Sequence, residues 1–108
     1  MKSDSLYIEH IISSINKIQE YIIGLDLETF LADNKTQDAV VRQFEIIGEA
    51  TKRISADFRD NHPDIPWLEM AGMRDVLIHD YIDVNFEIVW KTATENIPVV
   101  KNAILKLK

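Results

Sequence analysis

Cysteine is absent from the 108-residue chain, which excludes a disulfide framework and any thiolate metal site and suits a reducing compartment. Glycine and proline number only three each, and strand-like alternation of apolar and polar residues is missing, so an all-β chain of short strands and turns is excluded. No apolar run approaches the ~20 residues of a membrane span. The opening "MKSDSLYIEHIISSINKIQEYI" carries Asp4 and Glu9 where a signal peptide would be uninterrupted and apolar. The expectation is a cytoplasmic protein with no membrane association. Basic residues are outnumbered, 12 Lys and Arg against 18 Asp and Glu, for a net charge of −6. That balance argues against a general nucleic-acid coat, which needs a basic stripe. It leaves room for a small cationic site or a basic partner.

What is present is helical pattern. Apolar residues are 46% and charged residues 28% of the chain, enough for one globular domain with a modest core. Leu6, Ile8, Ile11, Ile12, Ile15, Ile18, Ile22 and Ile23 recur mostly at three- and four-residue steps, predicting an amphipathic helix capped by Ser3 or Ser5 and closed by Gly24. "DLETFLADN" predicts a turn or two of helix capped by Asp26. A long helix is expected from about Lys35 to Phe58, with Thr36 as N-cap and Ala39, Val40, Phe44, Ile47, Ala50 and Ile54 as its buried stripe. Pro63 and Pro66 make "RDNHPDIP" a loop, and Pro66 suits the first turn of a helix from Trp67 to about Asp80. A last helix covers Phe86 to Leu107, with a kink or break near Asn96 forced by Pro98. Short connections then predict an all-α, up-and-down bundle of four to five helices.

Within that frame, "MRDVLIHDY" (Met73 to Tyr81) places an arginine, an aspartate, a histidine and a tyrosine among apolar residues. At roughly 100° per residue, Arg74 and Tyr81 point the same way to within roughly 20°. Asp75 and His79 are neighbours at a four-residue step. Arg74 and His79 diverge by roughly 140° in a perfect helix, so meeting at one phosphate needs arginine's reach, a loosened last turn or a dimer interface. Metal-free RNA cleavage, in which the 2′-hydroxyl attacks its own phosphate, needs such a pair. An imidazole moves protons near neutral pH, and a guanidinium holds the charge developing on the phosphorane oxygens. Asp75 would fix the imidazole tautomer. One histidine cannot easily be base and acid together, and a two-fold dimer would supply two copies. On spacing alone, a structural Arg-Asp-His network is the stronger reading.

The motif resembles the R-x4-H-x-Y signature of the HEPN superfamily. Beyond it, "FLADNKTQDAVVRQFEIIGEATKRIS" and "IPWLEMAGMRDVLIHDYIDVNFEIVW" are similar to the HepT-like branch across nearly the whole chain. The resemblance implies a helical homodimer acting as an RNase toxin, paired with a minimal nucleotidyltransferase antitoxin of the MntA type. It makes Arg74 and His79 the catalytic pair, Asp75 the supporting polar residue, and Tyr81 the hydroxyl that the antitoxin modifies with AMP. RNA is then the substrate, and no cofactor is implied.

Other candidates read more plainly. In "IIGEA", Gly48 permits close helix approach and packing is the better reading, with a second role for Glu49 as a partner of Arg74 at the cleft. Arg42, Lys52 and Arg53 read as solvated surface ahead of an RNA- or partner-guiding edge. His10 and His62 have no metal-ligand spacing with each other or with His79 and read as surface. Trp67, Trp90, Tyr7 and Tyr21 read as core or interface. Against a toxin ribonuclease stand two alternatives: a non-catalytic dimeric binding module that associates with a nucleotidyltransferase, and a scaffold whose polar cluster only fixes register.

Overall fold

The computed structural model describes residues 3–78 and 84–107. Among the described residues seven α-helices follow in order: α1 (Asp4–Ile22), α2 (Leu27–Leu31), α3 (Asn34–Arg53), α4 (Ala56–Asn61), α5 (Trp67–Ile78), α6 (Phe86–Lys91) and α7 (Ile97–Leu105). A π-helical turn, Thr92–Asn96, joins the last two, and no strand occurs among the described residues. The architecture is the expected all-α bundle. Its long members are α1, α3, α5 and the α6–α7 rod.

The core is aliphatic. Ile8, Ile11, Ile15 and Ile18 line one face of α1 and join Val40, Phe44, Ile47 and Ala50 of α3, and Ile54 just past its end, in one buried cluster. Fully burying each of the isoleucine, valine and phenylalanine side chains contributes about 1.5–3 kcal/mol, so this seam sets the register of the two longest helices. Ala39, expected in the stripe, sits at its edge and is only half-buried. Trp90 leans on Phe30 with ring centroids 5.1 Å apart, bringing α6 against α2. Lys101 of α7 donates to Gln19 of α1 at 2.9 Å.

The caps explain where the helices start, and three expectations are corrected there. Asp26 caps α2 as expected, accepting from the Thr29 N–H at 2.8 Å while the Thr29 hydroxyl accepts from the Asp26 N–H at 3.0 Å. Asp33, rather than Thr36, caps α3. Its carboxylate accepts from the Thr36 N–H at 3.1 Å and from the Thr36 hydroxyl at 2.6 Å, so Thr36 serves as the donor in the first turn. The long helix also stops at Arg53 instead of running to Phe58. Ser55 caps a separate α4, accepting from the Phe58 N–H at 3.1 Å. Asp4 stabilises the break from across the bundle, accepting from the Ser55 N–H at 2.8 Å and the Ser55 hydroxyl at 2.7 Å. Because α4 reaches Asn61, the proline loop begins at His62 and not at Arg59. Gly24, at φ +78°, ends α1 in the left-handed conformation expected of it.

Pro98 acts as expected, by a specific route. Its ring nitrogen cannot donate to the carbonyl four residues back. The chain accommodates this one turn earlier, where the Ile97 N–H reaches five residues back to the Thr92 carbonyl.

Acid should loosen these caps. The Ser55 N–H and then its hydroxyl hold the Asp4 carboxyl below its usual 3.8. The Thr29 N–H does the same for Asp26, and the Thr36 hydroxyl for Asp33. A depressed folded-state pKa contributes stability that is complete above the unfolded value and lost as pH falls through the folded one. The melting temperature should therefore fall as pH drops below about 3.8. Asp4→Asn should melt lower than wild type at neutral pH and lose less on acidification. An identical acid dependence in the two proteins would remove Asp4 from this account.

Candidate functional site

Three contacts position α5. The buried Trp67 donates its indole N–H to the His62 carbonyl at 2.9 Å, and the Phe58 ring packs edge-on against it at 6.1 Å. Pro66 stands just before the helix, where its missing N–H costs nothing, and its carbonyl accepts the Met70 N–H at 3.0 Å. Met70 and Met73 are buried. Arg74 follows Met73 and lies at the border of this apolar face.

Gly48 decides how closely α5 approaches α3. A Cβ built on it would lie 2.8 Å from the Arg74 Cβ, 3.1 Å from the Arg74 backbone nitrogen and 3.3 Å from the Ala71 carbonyl oxygen. Only a hydrogen fits. Glycine inside a helix costs about 1 kcal/mol relative to alanine, and here it lets one backbone seat against the other at the arginine.

The next residue of α3 takes hold of that arginine. Glu49 accepts a hydrogen bond from the Arg74 guanidinium through Nη1, so the pairing expected as Glu49's second role is present beside the packing role of Gly48. The side chains of Arg74 and Glu49 are 41% and 43% exposed. An ion pair so open contributes about 0–1 kcal/mol, and the larger consequence is orientation. Asp75 meets the Lys52 ammonium at 3.4 Å, both side chains being exposed. His79 and Tyr81 lie outside the described residues, as does the expected contact between Asp75 and His79.

Arg74 and Glu49 open into a groove of about 420 Å³ between α1, α3 and α5. Its α3 wall is one helical face, Arg42, Glu45, Ile46, Glu49, Ala50 and Arg53, and its α1 wall carries Tyr7 and His10. Two of the three cations read as solvated surface, Arg42 and Arg53, thus share a groove with Arg74, whereas Lys52 turns to Asp75. His10 is exposed, as read, but it too shares that groove. Its three-residue spacing from Tyr7 was visible in sequence; its placement beside Arg74, 64 positions on, was not. Among the described residues no group of three or more His, Asp or Glu is placed to hold a metal ion. No helix among them is long and apolar enough to cross a membrane.

Comparison with known proteins gives the context for this geometry. The pattern of the ribonuclease HepT-like family matches residues 11–107. A protein of Thermococcus cleftensis named "Probable ribonuclease HepT" is 49% identical over 107 residues, covering 99% of this chain and 97% of the relative. One from Caldanaerobacter subterraneus, provisionally named an RNase, is 40% identical over 99% of this chain and 96% of its own length. A longer Methanocaldococcus jannaschii protein, named for a gamma-glutamylcyclotransferase and provisionally an RNase, is 41% identical over 98% of this chain and 48% of itself. No solved structure matches.

Proposed function

The chain belongs to the ribonuclease HepT-like family, and from that premise we propose that it is the toxin of a toxin–antitoxin pair, a homodimeric endoribonuclease that cuts RNA without a metal ion. The observation that carries this reading is Arg74, held by Glu49 at a groove wall at the start of an R-x4-H-x-Y motif. A guanidinium fixed in orientation and two-fifths open to solvent is prepared for a phosphate, because its planar fork matches two phosphate oxygens.

In the proposed reaction the 2′-hydroxyl oxygen attacks the adjacent phosphorus. One His79 takes the hydroxyl proton. Arg74 donates hydrogen bonds to the non-bridging oxygens as their charge grows. The bond to the 5′-oxygen breaks, and a second, protonated His79 from the other copy gives that oxygen its proton. The products are a 2′,3′-cyclic phosphate and a 5′-hydroxyl. Asp75, at the four-residue step before His79, would orient the imidazole.

Silencing follows from Tyr81. A nucleotidyltransferase antitoxin of the MntA type would join the Tyr81 phenol oxygen to the α-phosphorus of ATP, with loss of the phenol proton and departure of pyrophosphate. The attached AMP would place bulk and negative charge two residues from His79 and so exclude RNA phosphate.

The purified chain should cleave single-stranded RNA with undiminished rate in excess EDTA. Cleavage that stops on chelation and returns with a divalent ion would overturn the metal-independent reading. Incubation with the nucleotidyltransferase and ATP should raise the intact mass by whole AMP units. Tyr81→Phe should show no increase, and an increase that persists would move the acceptor elsewhere.

A further inference from the structure

The groove extends well beyond Arg74, and the reaction proposed above uses only that one of its residues. From Arg42 to Arg53 the α3 face runs eleven residues, about 16 Å at 1.5 Å per residue. Over that length the groove carries three arginines against two glutamates, an excess of positive charge in a chain of net −6. Two of those arginines are partly neutralised, Arg42 by Glu45 at 3.6 Å and Arg74 by Glu49. Arg53 is exposed and makes no ion pair among the described residues.

The hydrogen bonds from Ser55 to Asp4 set the first turn of α1 beside the last turn of α3. Tyr7 and His10, about one and two turns further along α1, therefore stand across the groove from the C-terminal half of α3. Their rings meet edge to face, with centroids 6.2 Å apart and an interplanar angle of 88°. Tyr7 is half-buried and packs against the core, while His10 is exposed. An aromatic surface across a groove from a guanidinium that has no ion pair among the described residues is the arrangement that holds single-stranded nucleic acid, with a base on the ring and the backbone on the cation.

We propose that this groove is a binding subsite for the single-stranded RNA flanking the cleaved phosphate, with Arg53 holding a neighbouring phosphate and His10, backed by Tyr7, stacking a base. The inference rests on the ribonuclease reading and deepens it. Arg53 and His10 position the strand, and Arg74 alone of the groove residues touches the reacting phosphate. Arg42, at the far end, extends the same track.

The test measures binding of a fluorescent, mixed-sequence 2′-O-methyl RNA, which has no 2′-hydroxyl to attack, together with steady-state cleavage of the matching RNA. Arg53→Ala should weaken binding about fivefold or more and reduce the slope of log affinity against log salt by about 0.7, the value for one lost phosphate contact on a single strand. Arg53→Lys should recover most of that slope. His10→Ala should weaken binding at least about fivefold with the salt slope unchanged, as expected for lost stacking. Both alanine variants should raise KM while kcat stays near wild type. Wild-type affinity and KM in both would overturn the subsite and leave the ribonuclease reading intact. If both keep RNA affinity but lose acceptance of AMP from the nucleotidyltransferase, the groove is a protein-docking surface and the subsite is wrong. Absence of RNA binding and cleavage by the wild type itself would overturn the subsite and the ribonuclease reading together.

Discussion

Arg74→Ala and His79→Ala should each nearly abolish RNA cleavage while leaving the fold in place. In the proposed reaction, loss of the imidazole would remove the proton carrier, an effect of about a hundred- to ten-thousand-fold. In that same proposal, loss of the guanidinium would remove the donor that stabilises charge on the pentavalent phosphorus, about a hundred- to thousand-fold. Stability should barely register the Arg74 change, because its pair with Glu49 is about two-fifths exposed and contributes about 0–1 kcal/mol. For a domain near this size that is a melting shift of only a few degrees. Arg74→Lys separates charge from shape. It keeps the cation and loses the fork, so cleavage should stay well below wild type. Equal cleavage by wild type and both alanine variants would sink the assignment of the catalytic pair.

Gly48→Val should damage both stability and activity. Even the first carbon of the new side chain would lie 2.8 Å from the Arg74 Cβ and 3.1 Å from the Arg74 nitrogen. Backbone cannot swing aside as a flexible side-chain tip can, so α5 must move off α3. Overpacking of this kind costs about 1–3 kcal/mol, and in a domain of this size each kcal/mol lowers the melting temperature by about 4–8 °C. Because the displaced segment carries Arg74, cleavage should fall beyond what the unfolded fraction explains. A misplacement of about 1 Å suffices for about a hundredfold loss. Gly72→Ala is the control. A Cβ there meets nothing within 4 Å, so alanine's better helix propensity should leave melting unchanged or raise it by up to about 1 kcal/mol of stability. Equal melting of Gly48→Val and wild type would show that the two backbones are not in contact here.

Much of this was readable in the sequence because helical periodicity reports burial directly. The seam of α1 and α3, the Asp26 cap, the Gly24 terminus and the break that Pro98 imposes all have local causes, and local causes leave local patterns. The break at Ser55 has a distant one. Ile54 and Phe58 sit at a four-residue step and keep the period going, and the group that stabilises the interruption is Asp4, 51 residues earlier. The expected Thr36 cap gives way to Asp33 for another reason. Both are good caps, and only the geometry shows which accepts and which donates. At the site, Gly48, Glu49 and Arg74 could be named because each has a distinctive chemistry. That Arg42, Arg53, His10 and Tyr7 gather around them depends on the register between α1 and α3, which packing sets and no spacing within a single helix reveals.

The contact at Gly48 has a consequence for how such genes decay. What the absent side chain spares is backbone and Cβ of α5, not the guanidinium of Arg74. A paralogue that has lost its arginine still has to fold, so selection should keep the glycine, while the neighbouring glutamate, with nothing left to hold, is free to drift. Retained glycine beside a wandering position 49 would then mark a retired copy, and a surviving Glu-Arg couple one still under selection for its chemistry.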